Sequence, residues 1–130
     1  MRRASPTATL LVGAVLGLAA PAQAGTVSGS SGAFRASMHA GTHHPRAGRK
    51  WIVTFTATRN GRPARASVGY EFLYGGKVVA HRSHYRFRGH FKDTFYWPVQ
   101  SVGYALTLRA VVQGSHGATV YLDYAVQVIR

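Results

Sequence analysis

Six basic side chains alternate with aromatic residues in one segment of the chain, a spacing that suits the binding of an anionic polymer. The basic residues hold even-numbered positions: Arg82, His84, Arg86, Arg88, His90 and Lys92. Tyr85, Phe87 and Phe91 hold odd-numbered positions between them. Because alternate residues of a strand share a face, this spacing predicts a cationic row opposite an apolar face, or a compact patch on adjacent strands if the chain turns at Gly89. The same row is also typical of a solvated sheet face.

Histidines nearer the N-terminus suggest a different chemistry, the binding of copper or zinc. His43 and His44 lie in the loop 41–48 and could close on a metal ion together with His39. Imidazole nitrogen is a common ligand of both metals. Arginines on both sides of this loop would repel a cation, and strand parity turns Met38 away from His39, toward the core. A metal site at these three histidines is therefore the alternative to the polyanion surface.

Catalysis has little support in the residue types present. After residue 24 the chain has three carboxylates, Glu71, Asp93 and Asp123, and the strand pattern puts them on three different strands. It has no cysteine nucleophile and no G-x-S-x-G turn, and Gly75-Gly76 leads into no helix that could hold a phosphate. We therefore expect neither an enzyme nor a bound cofactor.

The first 24 residues have the layout of a secretory signal peptide. Arg2 and Arg3 precede an uncharged apolar run at 8–20, and Ala22-Gln23-Ala24 offers a small-x-small cleavage site. The apolar run is shorter than the ~20 residues of a membrane-spanning helix, and no comparable run follows. We expect export by the general secretory route, cleavage before Gly25, a secreted or periplasmic location and no transmembrane segment.

The charge of the chain favours anionic partners. Lys and Arg number 16 against 3 Asp and Glu, which gives a formal net charge of +13. Such a surplus attracts cell-wall polymers, polysaccharides or lipid headgroups, although a GC-rich genome also produces chains rich in Arg, Ala and Gly. No nucleic-acid-binding motif is present, so we expect no specific DNA or RNA partner. We further expect a monomer.

Beyond a small, uncharged segment at 25–32, interpreted as a flexible lead-in, apolar residues recur with a period of two. Trp51, Val53 and Phe55 show the pattern, and Asn60-Gly61 is a typical tight-turn dipeptide. About seven such strands, and no helical period, predict one antiparallel β-sandwich over 33–130. A small closed barrel is the alternative.

Two stretches resemble secreted bacterial immunoglobulin-like domains. Residues 47–55 followed by 60–63 resemble the opening of those domains, and 89–98 followed by 103–108 is similar to their later strands. The chain is also distantly similar to small periplasmic sandwiches of the copper-resistance type, which ligate copper with His and Met. The resemblance extends over roughly 48–128 and implies an immunoglobulin-like sandwich. With the charge, it leads us to expect a non-catalytic binding or structural module that associates with anionic polymers, the alternative being a copper- or zinc-handling protein.

Overall fold

The computed structural model describes residues 25–130, most of which lie in β-strands. The strands are β1 (Gly25–Ser31), β2 (Phe34–Ala40), β3 (Lys50–Arg59), β4 (Arg62–Pro63), β5 (Arg65–Tyr74), β6 (Lys77–Arg88), β7 (His90–Tyr96), β8 (Ala105–Gly114) and β9 (Thr119–Gln127). A short 3₁₀ helix spans Val99–Ser101. Within the described range, no helix has the length and hydropathy needed to cross a bilayer. The predicted signal peptide lies outside the described residues.

The strands form two antiparallel layers. One layer has the order β1-β2-β3-β7, with the short β4 paired to β3, and the other has the order β6-β5-β8-β9. A single residue pair, Arg88 with His90, joins β6 to β7 and so links the layers at one corner. The prediction of an all-β, two-sheet antiparallel structure is therefore confirmed.

The core lies between the layers and follows the predicted parity. In β3, Trp51, Val53, Phe55 and Ala57 are buried, whereas their neighbours point outward. Met38 is fully buried, as predicted. The opposite layer contributes Tyr70, Val112, Leu108, Leu122 and Tyr124. Burial of this continuous apolar surface is the main force that holds the two layers together.

The first strand differs from the prediction. Residues 25–31, interpreted as a flexible lead-in, pair with β2 along their whole length. Their small side chains have a packing role, because a Cβ on Gly29 would lie 2.8 Å from Val120 Cγ1 on β9. The composition that is typical of a linker here allows an edge strand to lie close against the other layer.

The hairpin turns agree with the sequence. Asn60 and Gly61 have φ angles of 52° and 79°, as a two-residue hairpin turn requires. Gly75-Gly76 connects β5 to β6, and Ser115 to Gly117 connects β8 to β9. Hydrogen bonds from Asn60 to Ala33 and from Arg59 to Ser115 show that the connections 32–33, 60–61 and 115–118 lie at one end of the sandwich, where the turn at Gly89 also lies.

Candidate functional site

The basic row predicted along β6 is interrupted by two β-bulges. Val68 pairs with Tyr85, and Tyr70 pairs with Arg82, so β6 has one extra residue between these pairs. A second extra residue lies between the partners of Phe72 and Leu73. Each bulge reverses which residues of β6 point outward. The alternation in the sequence therefore does not describe one continuous face.

Arg82 leaves the predicted row because of the first bulge. It pairs with the buried Tyr70 and is half-buried, and its guanidinium carbon lies 4.5 Å from the ring centre of Phe95 on the other layer. His81 is paired instead with Glu71, whose carboxylate is on the outer face. The assignment of Arg82 to the outer cationic row was wrong, since it presumed an unbroken period of two.

The chain turns at Gly89, so the last two members of the row belong to the other layer. Gly89 has a φ of 73°, and its amide donates a hydrogen bond to the carbonyl of Ala64. His90 and Lys92 then pair with Thr56 and Thr54 of β3 and lie exposed on the outer face of that layer. The predicted continuous row is thus divided between two sheets.

Three arginines remain together next to this turn. Arg65 pairs directly with Arg88, and the adjacent outward pair is Ser67 with Arg86. Arg65, Arg86 and Arg88 are all exposed. We call these three residues the corner cluster. Arg65, the first residue of β5, was not predicted as a site residue, because it joins the cluster only through the pairing of β5 with β6.

The carboxylates of the described residues are engaged elsewhere. Arg109 Nε donates to Asp123 Oδ1 at 2.8 Å, and its Nη1 lies 3.7 Å from Glu71 Oε1. The hydrogen bond to Asp123 raises the pKa of Arg109. Asp93 accepts a 2.8 Å hydrogen bond from the Tyr70 hydroxyl. In residues 25–130, the salt bridges between side chains are all made by Arg109, and the corner cluster has no carboxylate partner.

The side chain of Tyr70 is buried between the two layers, and the pKa of its hydroxyl is strongly shifted. Burial raises the pKa of its hydroxyl far above the usual range, and the hydrogen bond to Asp93 raises it further. The buried ring packs edge-on against Phe95, with the ring centres 4.8 Å apart. The Tyr70 hydroxyl is therefore held in its neutral form and donates its hydrogen bond to Asp93.

Two of the three histidines of the predicted metal site, His39 and His43, contact different partners. His39 Nδ1 lies 2.8 Å from Thr26 Oγ1 on the outer face. His43 stacks on Tyr124 with ring centres 4.0 Å apart, and its Nδ1 is 2.6 Å from the carbonyl oxygen of Ala125. His44 is exposed. Over the range 25–130, no three His, Asp or Glu residues are arranged to hold a metal ion.

An apolar cleft opens between the layers, away from the corner cluster. Its volume is about 400 Å³. Its lining includes Phe72, Val79, Phe95, Trp97, Pro98, Leu106 and the side of Arg82. We call it the interlayer cleft. Its aromatic residues are visible in the sequence as core positions, but the sequence does not indicate that the divergence of β6 from β7 leaves a cleft beside them.

The geometry thus offers two features with binding potential: the exposed corner cluster and the apolar interlayer cleft. No protein-family model matches the chain, and no curated protein matches it in sequence. The assignment of function therefore depends on the chemistry of these two features.

Proposed function

We propose that this protein is a secreted, non-catalytic binding module that associates with anionic polymers through the corner cluster. The observation that supports the proposal best is the direct cross-strand pairing of Arg65 with Arg88, beside Arg86, with no carboxylate partner in the described residues. Like charges directly opposite one another destabilise a sheet. An anion bound between them offsets that repulsion.

The arrangement suits a polymer with closely spaced charges. Cross-strand neighbours have Cβ atoms ~5 Å apart, and residues two apart on one strand are separated by ~6.6 Å. Planar guanidinium groups form paired hydrogen bonds with carboxylate, phosphate or sulfate groups. The ligand class is therefore a chain of such groups repeating every ~5–7 Å, as in acidic wall polymers or sulfated polysaccharides.

The proposal includes an immunoglobulin-like topology for the sandwich. In the constant-type immunoglobulin order, strands B and E, C and F, and F and G are neighbours. The pairings β3–β7, β5–β8 and β8–β9 agree with these three if β3 is taken as strand B. Such a domain presents outward-facing side chains on two sheets, and a secreted location, inferred from residues 1–24, would expose them to envelope polymers.

The experiment compares two triple variants of the exported protein. In the first, Arg65, Arg86 and Arg88 are replaced by Gln. In the matched control, three exposed cations at the opposite end of the sandwich are replaced by Gln: Arg49, Lys50 and Lys77. Both variants lose the same formal charge, so a difference between them reports position rather than net charge. Retention on immobilised heparin and on a phosphate-rich wall polymer is measured as the salt concentration at elution.

We expect the corner variant to elute at markedly lower salt than the control variant, because each lost contact weakens a screened electrostatic attraction. Thermal unfolding of both variants checks that the fold is retained. Equal elution of the two variants would show that only net charge matters and would overturn the proposal. Binding of the unaltered protein that persists at 1 M salt would also contradict it, since the Debye length there is ~3 Å.

A further inference from the structure

The interlayer cleft exists because β6 and β7 touch only at the corner. They pair at Arg88 and His90 and then diverge, each remaining hydrogen-bonded only to its own layer over the rest of its length. At the far end of this opening, Phe95 and Trp97 are largely buried and Phe72 is half-buried, whereas Val79 at the rim is 60% exposed. The floor of this opening is therefore apolar and largely buried, and the apolar surface that solvent reaches lies at the rim, as at Val79.

Arg82 is the cationic residue that lines this cleft. Its guanidinium carbon lies over the Phe95 ring, 4.5 Å from the ring centre, which is within the range of a cation–π contact. Arg82 makes no salt bridge among the described residues, so its N–H donors have no carboxylate partner there. A half-buried cation is less screened by water than an exposed one, which strengthens its attraction for an anion.

The shape of the lining favours a flexible chain over a flat ring. Phe72 meets Phe95 and Trp97 edge-to-face, with interplanar angles of 72° and 86°. Such rings form an irregular wall that an alkyl chain can follow. The volume of about 400 Å³ lies in the usual range for small-ligand sites. At ~30 Å³ per water molecule it equals roughly thirteen waters, comparable in number to the non-hydrogen atoms of a ten-carbon acid.

We propose that the interlayer cleft binds a medium-chain alkyl carboxylate. The carboxylate pairs with the Arg82 guanidinium, and the alkyl chain lies against Phe72, Phe95 and Trp97. This site is separate from the corner cluster in both position and chemistry, because one guanidinium and an apolar wall recognise an amphiphile rather than a polymer.

The test measures the binding of decanoate, 1-decanol and acetate to the exported protein by titration calorimetry. The three probes separate the contributions of charge and alkyl chain. Two variants accompany them: Arg82→Gln, which removes the cation, and Ala80→Trp, which fills the cleft from an exposed position on its rim. The corner variant with Gln at 65, 86 and 88 is the control that leaves the cleft intact.

We expect decanoate to bind more tightly than decanol and acetate not to bind. Arg82→Gln should weaken decanoate 10- to 100-fold and decanol less than threefold, because decanol has no charge to lose. Ala80→Trp should abolish the binding of both, and the corner variant should retain both. If Arg82→Gln fails to fold, Ala80→Trp still decides the location of the site.

Three results would overturn the inference. Decanoate that shows no binding at millimolar concentration would exclude the ligand class. Equal affinity of decanoate for Arg82→Gln and the unaltered protein would remove the role of the cation. Undiminished binding by a folded Ala80→Trp would place the ligand outside the cleft. None of these results bears on elution from an anionic polymer, so the two proposals fail independently.

Discussion

Strands β3 and β6 have similar alternating sequences but different structures. β3 is paired on both sides, with β2 and β7, and buries every second side chain from Trp51 to Ala57. β6 is paired with β5 along its length but with β7 at a single residue pair, and it contains two bulges. A strand held from both sides cannot gain a residue without disrupting two ladders, whereas an edge strand disrupts only one. Alternation is therefore a safer guide to orientation in β3 than in β6.

The largest expected loss of stability comes from a substitution in the regularly paired strand β3. Phe55→Ala should lower the free energy of unfolding by about 3–5 kcal/mol, because the fully buried ring packs against Tyr70 and Phe91 and its removal leaves a cavity. Thr56→Ala, on the exposed face of the same strand, should lower it by about 0.5 kcal/mol or less. Urea unfolding of both variants provides the comparison. Similar losses at the two positions would show that β3 does not have the described orientation.

The next effect concerns Tyr70, the partner of Arg82 beside the first bulge. Tyr70→Phe should cost about 1–2 kcal/mol, since it removes the hydrogen bond to Asp93. The raised pKa of Tyr70 also predicts a pH dependence. The unfolded chain loses this proton near pH 10 while the folded protein keeps it, so stability is intact below pH 10 and falls above it.

Urea unfolding between pH 8 and 11 measures this dependence. The decline above pH 10 should be shallower in Tyr70→Phe than in the unaltered protein, although Tyr124, whose pKa burial also raises, still contributes to it. Tyr74→Phe is the control, because Tyr74 is half exposed at the end of β5. Parallel pH profiles for Tyr70→Phe and Tyr74→Phe would contradict the buried, hydrogen-bonded state of Tyr70.

A smaller loss of stability is expected from a substitution at Gly69, which lies opposite the first bulge of β6. A Cβ on Gly69 would lie 2.9 Å from the ring of His84, which covers this position. Gly69→Ala should cost about 1 kcal/mol, because a flexible, exposed side chain can move away. His84→Ala in the same protein should recover part of that loss, and a double-mutant cycle measures the coupling. Strict additivity of the two changes would mean that His84 does not lie over Gly69.

The smallest loss of stability is expected at Arg109, on the outer face of the regularly paired strands β5, β8 and β9. Arg109→Gln removes the contacts to Asp123 and Glu71 but should cost only about 0.2–1 kcal/mol, since these ion pairs are partly exposed to solvent. Thermal unfolding at low and high salt measures the loss, which should shrink as salt increases. A loss of several kcal/mol, independent of salt, would show that this network is structural rather than superficial.

Several features of the fold could be predicted from the sequence because they depend on neighbouring residues. The period of two at Trp51, Val53 and Phe55 predicts the strand β3, and Asn60-Gly61 predicts the hairpin turn that follows it. The burial of Trp51 and Met38 follows from the same parity. By contrast, β1 was not predicted, since its small polar residues have weak strand propensity and are ordered through β2 and β9.

The candidate site was predicted only in part. Arg86 and Arg88 stay together on one exposed face, as their spacing indicates. Arg82 turns inward, and His90 and Lys92 move to the other layer, because a bulge and a turn interrupt the period at 82–90. The predicted metal site is not assembled, because His39 contacts Thr26 whereas His43 contacts the carbonyl oxygen of Ala125.

The sequence by itself determined the strand content, the inward parity of β3 and the excess of cations over carboxylates, since each depends on local spacing or composition. The tertiary structure decided which cations become neighbours. Strand pairing places Arg65 beside Arg88. Arg109 contacts Glu71 on β5 and Asp123 on β9, two of the three side-chain carboxylates. Arg82 contacts the ring of Phe95 in the other layer. The physical reason is that register, bulges and layer contacts join residues far apart in the chain, and local alternation does not specify where a ladder gains a residue.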